Sequence, residues 1–256
     1  DGLVLTPGLI DIHTHAIGQH IYETGPESFD HASGILPQYG TTCVIPTIVP
    51  DTGRDDFFPN LSSLVKAIED LDKVSMPCLH LEGPFVALTG AGCKPVPGDV
   101  DLLKEIIDVC EGKLGVMSIA PEVENIIPVI ETLVERGVVP FITHTRAGVE
   151  DTRSAIDAGA RHATHFYDVF HVPGENDGGV RPVGAVETIL ADPRCSVDFI
   201  GDGVHVHPVA IKAALAAKGP EKVILVTDSN VGAGLPEGVY DLPWGYSVKV
   251  TAGNGV

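Results

Sequence analysis

The sequence alternates short apolar segments with longer amphipathic ones, and this pattern constrains the fold more than any other feature. The apolar segments have the length of strands, are rich in β-branched residues and end in polar residues. Most of the stretches between them carry apolar side chains at helical spacing, most clearly over residues 60–72. The predicted strands lie within residues 8–16, 41–49, 78–85, 116–122, 139–145, 162–168, 195–203 and 223–230.

Strands that alternate with helices predict parallel β/α units, and eight such strands close a (β/α)8 TIM barrel of about 250 residues. The chain has 256 residues. An open doubly wound sheet is the alternative, but it would need a glycine-rich phosphate turn where this chain has His-Thr-His at residues 13–15. Further helices are predicted over residues 101–112, 124–137, 149–158, 183–192 and 207–218, with Asn60 and Asp101 as N-caps.

We therefore predict an α/β protein whose catalytic barrel spans residues 8–235. Residues 1–7 are interpreted as the end of an accessory β segment. Residues 236–256 are interpreted as a hairpin-like tail that leads to further C-terminal parts of a longer chain, because an uncovered barrel flank would expose apolar surface.

Composition excludes several classes of protein. Sixteen Lys and Arg stand against 35 Asp and Glu, a net charge of −19, which argues against nucleic acid or an anionic membrane surface as partner. No apolar run reaches the roughly 18 residues of a membrane-spanning helix. The five cysteines are odd in number and form no CxxC motif, which favours a reducing, cytoplasmic setting.

The ends of the predicted strands carry an unusual set of polar side chains. In a TIM barrel the active site lies at the carboxyl ends of the strands, so these side chains are expected to share one mouth. His13 and His15 are two residues apart and therefore point the same way. The remaining histidines are interpreted as structural, with His80 and His162 in the core or behind the site. The strand-end residues are Asp11, His13, His15, Glu82, His144, His165, Asp202, His205 and Asp228.

Imidazole and carboxylate groups without thiolates are typical ligands of Zn²⁺, Fe²⁺, Mn²⁺ or Co²⁺. The strand-end set therefore predicts a divalent metal site. A bound divalent metal makes water a nucleophile near neutral pH and polarises a carbonyl group. Asp228 is then expected to accept a proton from the attacking water and pass it to a leaving nitrogen.

Several segments resemble one family in order along nearly the whole chain. Residues 7–15 (PGLIDIHTH) are similar to the first-strand signature of the amidohydrolase superfamily. Residues 80–85 (HLEGPF) resemble more narrowly the metal-binding strand of N-acetylglucosamine-6-phosphate deacetylases. The fourth, sixth, seventh and eighth strands of that family resemble residues 120–122 (APE), 164–167 (THFY), 202–206 (DGVHV) and 226–228 (VTD).

The resemblance implies metal-dependent hydrolysis of an N-acetyl amide on an amino sugar, with N-acetylglucosamine 6-phosphate favoured. It implies one or two metal ions, Zn²⁺ or Fe²⁺ foremost, and a homodimer. Glu82, His144 and His165 would hold the main metal, and His13 and His15 would complete a second site. Asp228 would be the catalytic acid and base. The substrate would contact His205, Arg181, Asp168 and Val169.

The chain departs from that family at positions 168–170. Asp168, Val169 and Phe170 stand where the family usually has Asn-Ala-Met, a stretch that helps to bind the sugar phosphate, and a carboxylate near a phosphate is unfavourable. Arg181 follows an acidic, glycine-rich loop at residues 174–179. Two alternatives therefore stay open: an amidohydrolase acting on an N-acyl amino acid or a cyclic amide, and a metal-binding barrel without activity.

Overall fold

A single sheet of eight parallel strands forms the centre of the protein. The computed structural model describes residue 2 and residues 4–89, 93–174, 179–241 and 247–251. Each barrel strand pairs in parallel with its neighbours along the chain. The strands are β1 (Leu9–Thr14), β2 (Thr41–Ile48), β3 (Leu79–Glu82), β4 (Leu114–Ile119), β5 (Val139–Ile142), β6 (His162–Ala163), β7 (Ser196–Ile200) and β8 (Val223–Val226).

The sheet curls round until β8 meets β1. At this seam the amide of Asp228 donates to the carbonyl of His13 at 3.0 Å. Beside it, the Thr227 hydroxyl donates to the buried carboxylate of Asp11 at 2.6 Å. Asp11 therefore ties the barrel together below the strand ends and is not one of the groups that converge there. The predicted TIM barrel is confirmed.

Seven α-helices join the barrel strands in the described parts of the chain. Their apolar faces pack on the outside of the sheet and build the continuous core. The six predicted helices are confirmed to within a few residues at each end. The helices are α1 (Pro26–Ile35), α2 (Phe57–Ala67), α3 (Val100–Val109), α4 (Ile126–Glu135), α5 (Val149–Ala158), α6 (Ala185–Ala191) and α7 (Pro208–Lys218).

Both predicted N-caps are wrong. Helix α2 begins at Phe57, so Asn60 lies within its first turn. Helix α3 is capped by Asp99, whose carboxylate accepts from the amide of Asp101 at 2.9 Å. A cap must precede the free amides of the first turn, and in each helix that turn starts earlier than the apolar periodicity indicates.

Two small antiparallel pairs lie outside the barrel sheet. Residues 16–17 pair with residues 20–21 just after β1. In the tail, β9 (Gly238–Asp241) pairs with β10 (Ser247–Val250). Residues 1, 3, 242–246 and 252–256 of the two predicted flanking segments lie outside the described residues. In the described parts of the chain, no helix has the length and apolar character needed to span a bilayer.

Candidate metal centre

Glu82 lies at the end of β3 and is the centre of a cluster of histidines. Its Oε1 atom is 3.0 Å from Nε2 of His144 and 2.9 Å from Nε2 of His165. The same oxygen is 3.6 Å from Nε2 of His13, and Oε2 is 3.2 Å from Nε2 of His15. Four imidazoles from three further strand ends therefore converge on one carboxylate.

Asp228 follows β8 and completes the cluster from the other side. Its Oδ1 atom lies 3.3 Å from Nε2 of His13 and 3.5 Å from Nε2 of His15. Two overlapping groups each bring their ligand atoms within 4.8 Å of one another: His13, Glu82 and His165, and His13, His15 and Asp228. We call the six residues His13, His15, Glu82, His144, His165 and Asp228 the donor cluster.

The carboxylates of the donor cluster stay ionised, although Glu82 is buried and Asp228 is only partly exposed. Burial alone would raise the pKa of Glu82, but the imidazoles around it, His13 first, hold that pKa well below its ordinary value. For Asp228, burial is likewise outweighed by His13, and the pKa falls to about 2. Burial lowers the pKa of a histidine, yet hydrogen bonding to Glu82 raises the pKa of His15 to about 9 and that of His165 to about 10.

The donor cluster fits a divalent metal. Nε2 of His13 is buried and, within the described part of the chain, forms no hydrogen bond, although it faces two carboxylates. A buried polar atom without a partner is rare in proteins and calls for an explanation, such as an ion. Imidazole nitrogens and carboxylate oxygens are suitable ligands for Zn²⁺ or Fe²⁺, and the small separations allow one ion or two.

A buried carboxylate on β7 fixes the position of His165. Asp198 accepts from Nε2 of His162 at 2.8 Å and from the Thr164 hydroxyl at 2.9 Å. Its other oxygen accepts from the backbone amide of His165. The sequence did not point to Asp198, because its partners come from the neighbouring strand, more than thirty residues away in the chain.

A second anchor holds the segment after β5, which carries His144. Glu122, just beyond β4, accepts from the Thr145 hydroxyl and from the Arg146 amide, each at 2.6 Å. Glu122 is part of the APE segment that resembled the family, although no role was assigned to it from the sequence. It acts through the backbone that presents His144.

Three residues of the donor cluster have left-handed backbone conformations. The φ angles are 46° for His144, 33° for His165 and 46° for Asp228. Such angles are uncommon for residues other than glycine, and they concentrate at functional sites. Val169 is a further case, with φ of 53°. Residue types alone carry no signal for this feature, so sequence analysis missed it.

Five members of the donor cluster, all but His13, line a cavity of about 480 Å³ at the carboxyl end of the barrel, and His13 lies buried beneath them. Asp168, Val169 and His205 line this cavity, as does Asp202, which accepts from Nδ1 of His205 at 2.7 Å. Among the described residues, no Lys or Arg lines it. Arg181 is placed elsewhere: its side chain is 83% exposed, and its guanidinium pairs with Glu187 at 3.2 Å.

Known proteins similar to this chain belong to the family that the sequence motifs resemble. No protein-family model matches the chain. The N-acetylglucosamine-6-phosphate deacetylase of Bacillus subtilis (strain 168) is 34% identical over 263 residues, which cover 96% of this chain and 63% of that protein. The N-acetylgalactosamine-6-phosphate deacetylase of Escherichia coli O157:H7 is 28% identical, over 94% of this chain and 64% of that protein.

A solved structure similar to this chain is also a deacetylase of an amino sugar phosphate. A mutant N-acetyl-D-glucosamine-6-phosphate deacetylase from Mycobacterium smegmatis, in complex with N-acetyl-D-glucosamine-6-phosphate, superposes with a TM-score of 0.84 at 28% identity. The chain resembles N-acetylglucosamine-6-phosphate deacetylases. The resemblance predicted from the strand-end motifs is thus confirmed over 96% of this chain, which spans 63% of the Mycobacterium protein.

Proposed function

We propose that this chain forms the catalytic barrel of a metal-dependent hydrolase that removes the acetyl group from an N-acetylated amino sugar. N-acetylglucosamine 6-phosphate is the favoured substrate. The observation that carries the proposal is the convergence of four histidines on two carboxylates at the base of one cavity, which all of these residues except His13 line. The similarity to deacetylases of amino sugar phosphates supports the acetyl amide as the bond that is cleaved.

The donor cluster without Asp228 would hold the metal. Glu82, His144 and His165 would bind the main ion, and His13 and His15 would complete a second site. When bound, a divalent ion supplies Lewis-acid chemistry, by polarising the acetyl carbonyl and lowering the pKa of water. The ligands come from the ends of strands β1, β3, β5 and β6, so the rigid sheet sets their geometry before substrate arrives.

Asp228 is proposed as the general base and acid. Its carboxylate lines the cavity, and its side chain is 21% exposed, so it can reach both water and substrate. As the water oxygen forms a bond to the acetyl carbon, Asp228 accepts the proton from that water. It then donates this proton to the amide nitrogen as the carbon–nitrogen bond breaks, and the products are acetate and a free amine.

Residues in the cavity wall are proposed to contact the sugar and to determine which sugar binds. His205 is held by Asp202 at the cavity wall and is proposed to donate to the substrate. Val169 offers an apolar contact and Asp168 an acceptor for sugar hydroxyls. Relatives that act on glucosamine and on galactosamine derivatives are both similar to the chain, so either sugar is a candidate.

One observation favours the second candidate function, hydrolysis of an unphosphorylated amide. Asp168 lies in the cavity wall, and no Lys or Arg of the described residues lines that wall to balance a phosphate. An N-acyl amino acid or a cyclic amide would avoid this repulsion. The predicted role of Arg181 in substrate binding would require it to leave Glu187 and move to the cavity.

The family resemblance also leads us to propose a homodimer, and the cysteine pattern leads us to propose a cytoplasmic setting. Light scattering after size-exclusion chromatography would measure the mass of the particle. A mass of one chain would contradict the dimer.

The activity is tested by acetate release. The purified protein, loaded with Zn²⁺ or Fe²⁺, is incubated with N-acetylglucosamine 6-phosphate, N-acetylgalactosamine 6-phosphate, unphosphorylated N-acetylglucosamine and an N-acetyl amino acid. We expect acetate from the phosphorylated sugars and none after chelation of the metal. Release from the amino acid alone would replace the proposed function by the second candidate, and no release with any metal would overturn both.

A further inference from the structure

His80 lies directly behind the donor cluster and touches one of its members. It occupies the second position of β3, is fully buried, and has no access to the cavity. Its Nδ1 atom is 3.3 Å from Nδ1 of His13, on the side of that ring opposite to the donor cluster. Its Nε2 atom is 2.7 Å from the hydroxyl of Ser118 on β4. The imidazole of His80 thus connects the ligand His13 to a hydroxyl in the barrel interior.

Two nitrogen atoms that face each other at 3.3 Å require one proton between them. A neutral imidazole has one N–H donor and one acceptor nitrogen. If His13 carries the proton on Nδ1, it donates to Nδ1 of His80, and Nε2 of His13 is left with a free lone pair. His80 then carries its own proton on Nε2 and donates to Ser118. This arrangement is the one in which His13 can bind a metal.

The opposite arrangement also gives both ring nitrogens of His80 a partner. His80 then carries its proton on Nδ1, where it donates to His13 and faces the carbonyl of Ile12 at 3.4 Å. His13 carries its proton on Nε2 and directs it at Asp228, 3.3 Å away. The Ser118 hydroxyl turns to donate to His80. Both arrangements hold the same two protons, so a change from one to the other takes up and releases none.

We propose that His80 is a positioning residue that sets the tautomer of His13 and so decides whether His13 can bind a metal. Metal binding at Nε2 of His13 would require the first arrangement, with the proton of His13 on Nδ1 and that of His80 on Nε2. The inference rests on the proposed metal site, but not on the deacetylase activity. Orienting groups behind metal-binding histidines commonly set the protonated nitrogen in this way.

The surroundings of His80 suit this role. The ring of Phe141 packs against it with centroids 5.4 Å apart, and His13 packs edge-on at 5.0 Å. Both imidazoles are fully buried, so bulk water does not compete for the shared proton. A long contact of 3.4 Å from Thr47 to Nδ1 of His13 is the one further polar neighbour that the described residues place there.

The tautomers can be observed directly. Long-range ¹H–¹⁵N correlation spectra of protein labelled with ¹⁵N-histidine distinguish protonated from bare ring nitrogens. The spectra of the metal-free and Zn²⁺-loaded protein are compared, and the His80 signals are assigned from their loss in His80→Asn. We expect the Zn²⁺-loaded protein to carry protons on Nδ1 of His13 and Nε2 of His80. A proton on Nδ1 of His80 in that protein would overturn the proposal.

Two substitutions of His80 test the same role. Their effect is measured as the affinity for Zn²⁺ in competition with a chelator. His80→Asn keeps an acceptor oxygen near the position of Nδ1, and His80→Leu places a methyl group there. We expect His80→Leu to bind Zn²⁺ about 10- to 100-fold more weakly than the wild type, and His80→Asn to stay within about threefold. Phe141→Leu, which changes the apolar packing against His80 and His162 but no hydrogen bond of His80, serves as the control and should leave the affinity unchanged.

Equal losses in His80→Asn and His80→Leu, or no loss in either, would contradict a role in tautomer selection. If His80→Leu fails to fold, the spectra of the wild type still decide. A wild type that binds Zn²⁺ with the expected tautomers but releases no acetate would overturn the proposed function and leave this inference standing. A wild type that takes up no metal would overturn the inference.

Discussion

Asp198 offers the sharpest test of how the barrel supports the donor cluster. Its carboxylate is fully buried and satisfies three donors: Nε2 of His162, the Thr164 hydroxyl and the His165 amide. A buried donor that loses its acceptor costs about 1–3 kcal/mol. In Asp198→Ala, His162 can shift its proton towards Ser196 and the Thr164 hydroxyl can rotate. The His165 amide has no such freedom. Its unsatisfied donor, together with the loss of the other two buried hydrogen bonds, should cost about 3–5 kcal/mol of unfolding free energy.

Asp198→Asn should cost far less. The amide oxygen can accept from the His165 amide, while the NH₂ group donates to Nε2 of the other His162 tautomer. We expect a loss of about 1 kcal/mol for this variant. Asp157→Ala is the control, because Asp157 is exposed and pairs with Arg194 at the surface, where such a pair contributes about 0–1 kcal/mol.

The assay is equilibrium unfolding in urea, followed by far-ultraviolet circular dichroism on metal-free protein. Metal is removed so that any change in metal affinity does not enter the unfolding free energy. The reasoning would be refuted if Asp198→Ala lost less than about 1 kcal/mol, or if the alanine and asparagine variants were equally unstable. In either case the three hydrogen bonds would not be what holds the segment that carries His165.

Three further predictions follow from the same structure. Thr227→Val removes the 2.6 Å bond to buried Asp11 at the barrel seam and should lower the unfolding free energy by about 1–3 kcal/mol in urea titrations; an unchanged midpoint would contradict that role. Asp168→Asn removes a carboxylate from the cavity wall. The KM for a phosphorylated substrate should therefore fall by about 2- to 10-fold, whereas the KM for an uncharged substrate should change little. An equal change in both KM values would refute the electrostatic reason. Burial raises the pKa of Cys110 to about 12, so at pH 8 about one part in ten thousand of this thiol is thiolate. Iodoacetamide should therefore label partly exposed Cys43 before Cys110 in peptide mass spectra. Equal labelling rates would contradict the buried placement of Cys110.

The barrel and most of the donor cluster could be predicted from the sequence, because the patterns that indicate them lie within single segments of the chain. A β-branched segment with a polar end predicts both a strand and the place where a side chain enters the mouth. His13 and His15 illustrate this, since spacing along one strand already fixes their shared direction. Helix α1 was missed because its sequence, PESFDHASGI, has few large apolar residues, and only Phe29 among them is fully buried.

Features that depend on contacts between neighbouring strands could not be predicted from the sequence. Strand β6 has two residues, whereas residues 162–168 were predicted, because the backbone turns to a left-handed conformation at His165. Asp198 holds that turn through the His165 amide, and its place beside His165 depends on the register of β6 against β7. The direction of Arg181 likewise depends on a loop contact with Glu187, which spacing in the chain does not encode.

Asp228→Asn tests the central claim most directly. The substitution keeps the shape of the side chain at the floor of the cavity but removes its capacity to accept a proton. Zn²⁺ content and turnover of N-acetylglucosamine 6-phosphate are measured on the same preparation, beside the wild type. We predict unchanged folding and near-normal metal content, with turnover lower by about 10²- to 10⁴-fold. A variant that holds its metal and keeps wild-type turnover would contradict the account.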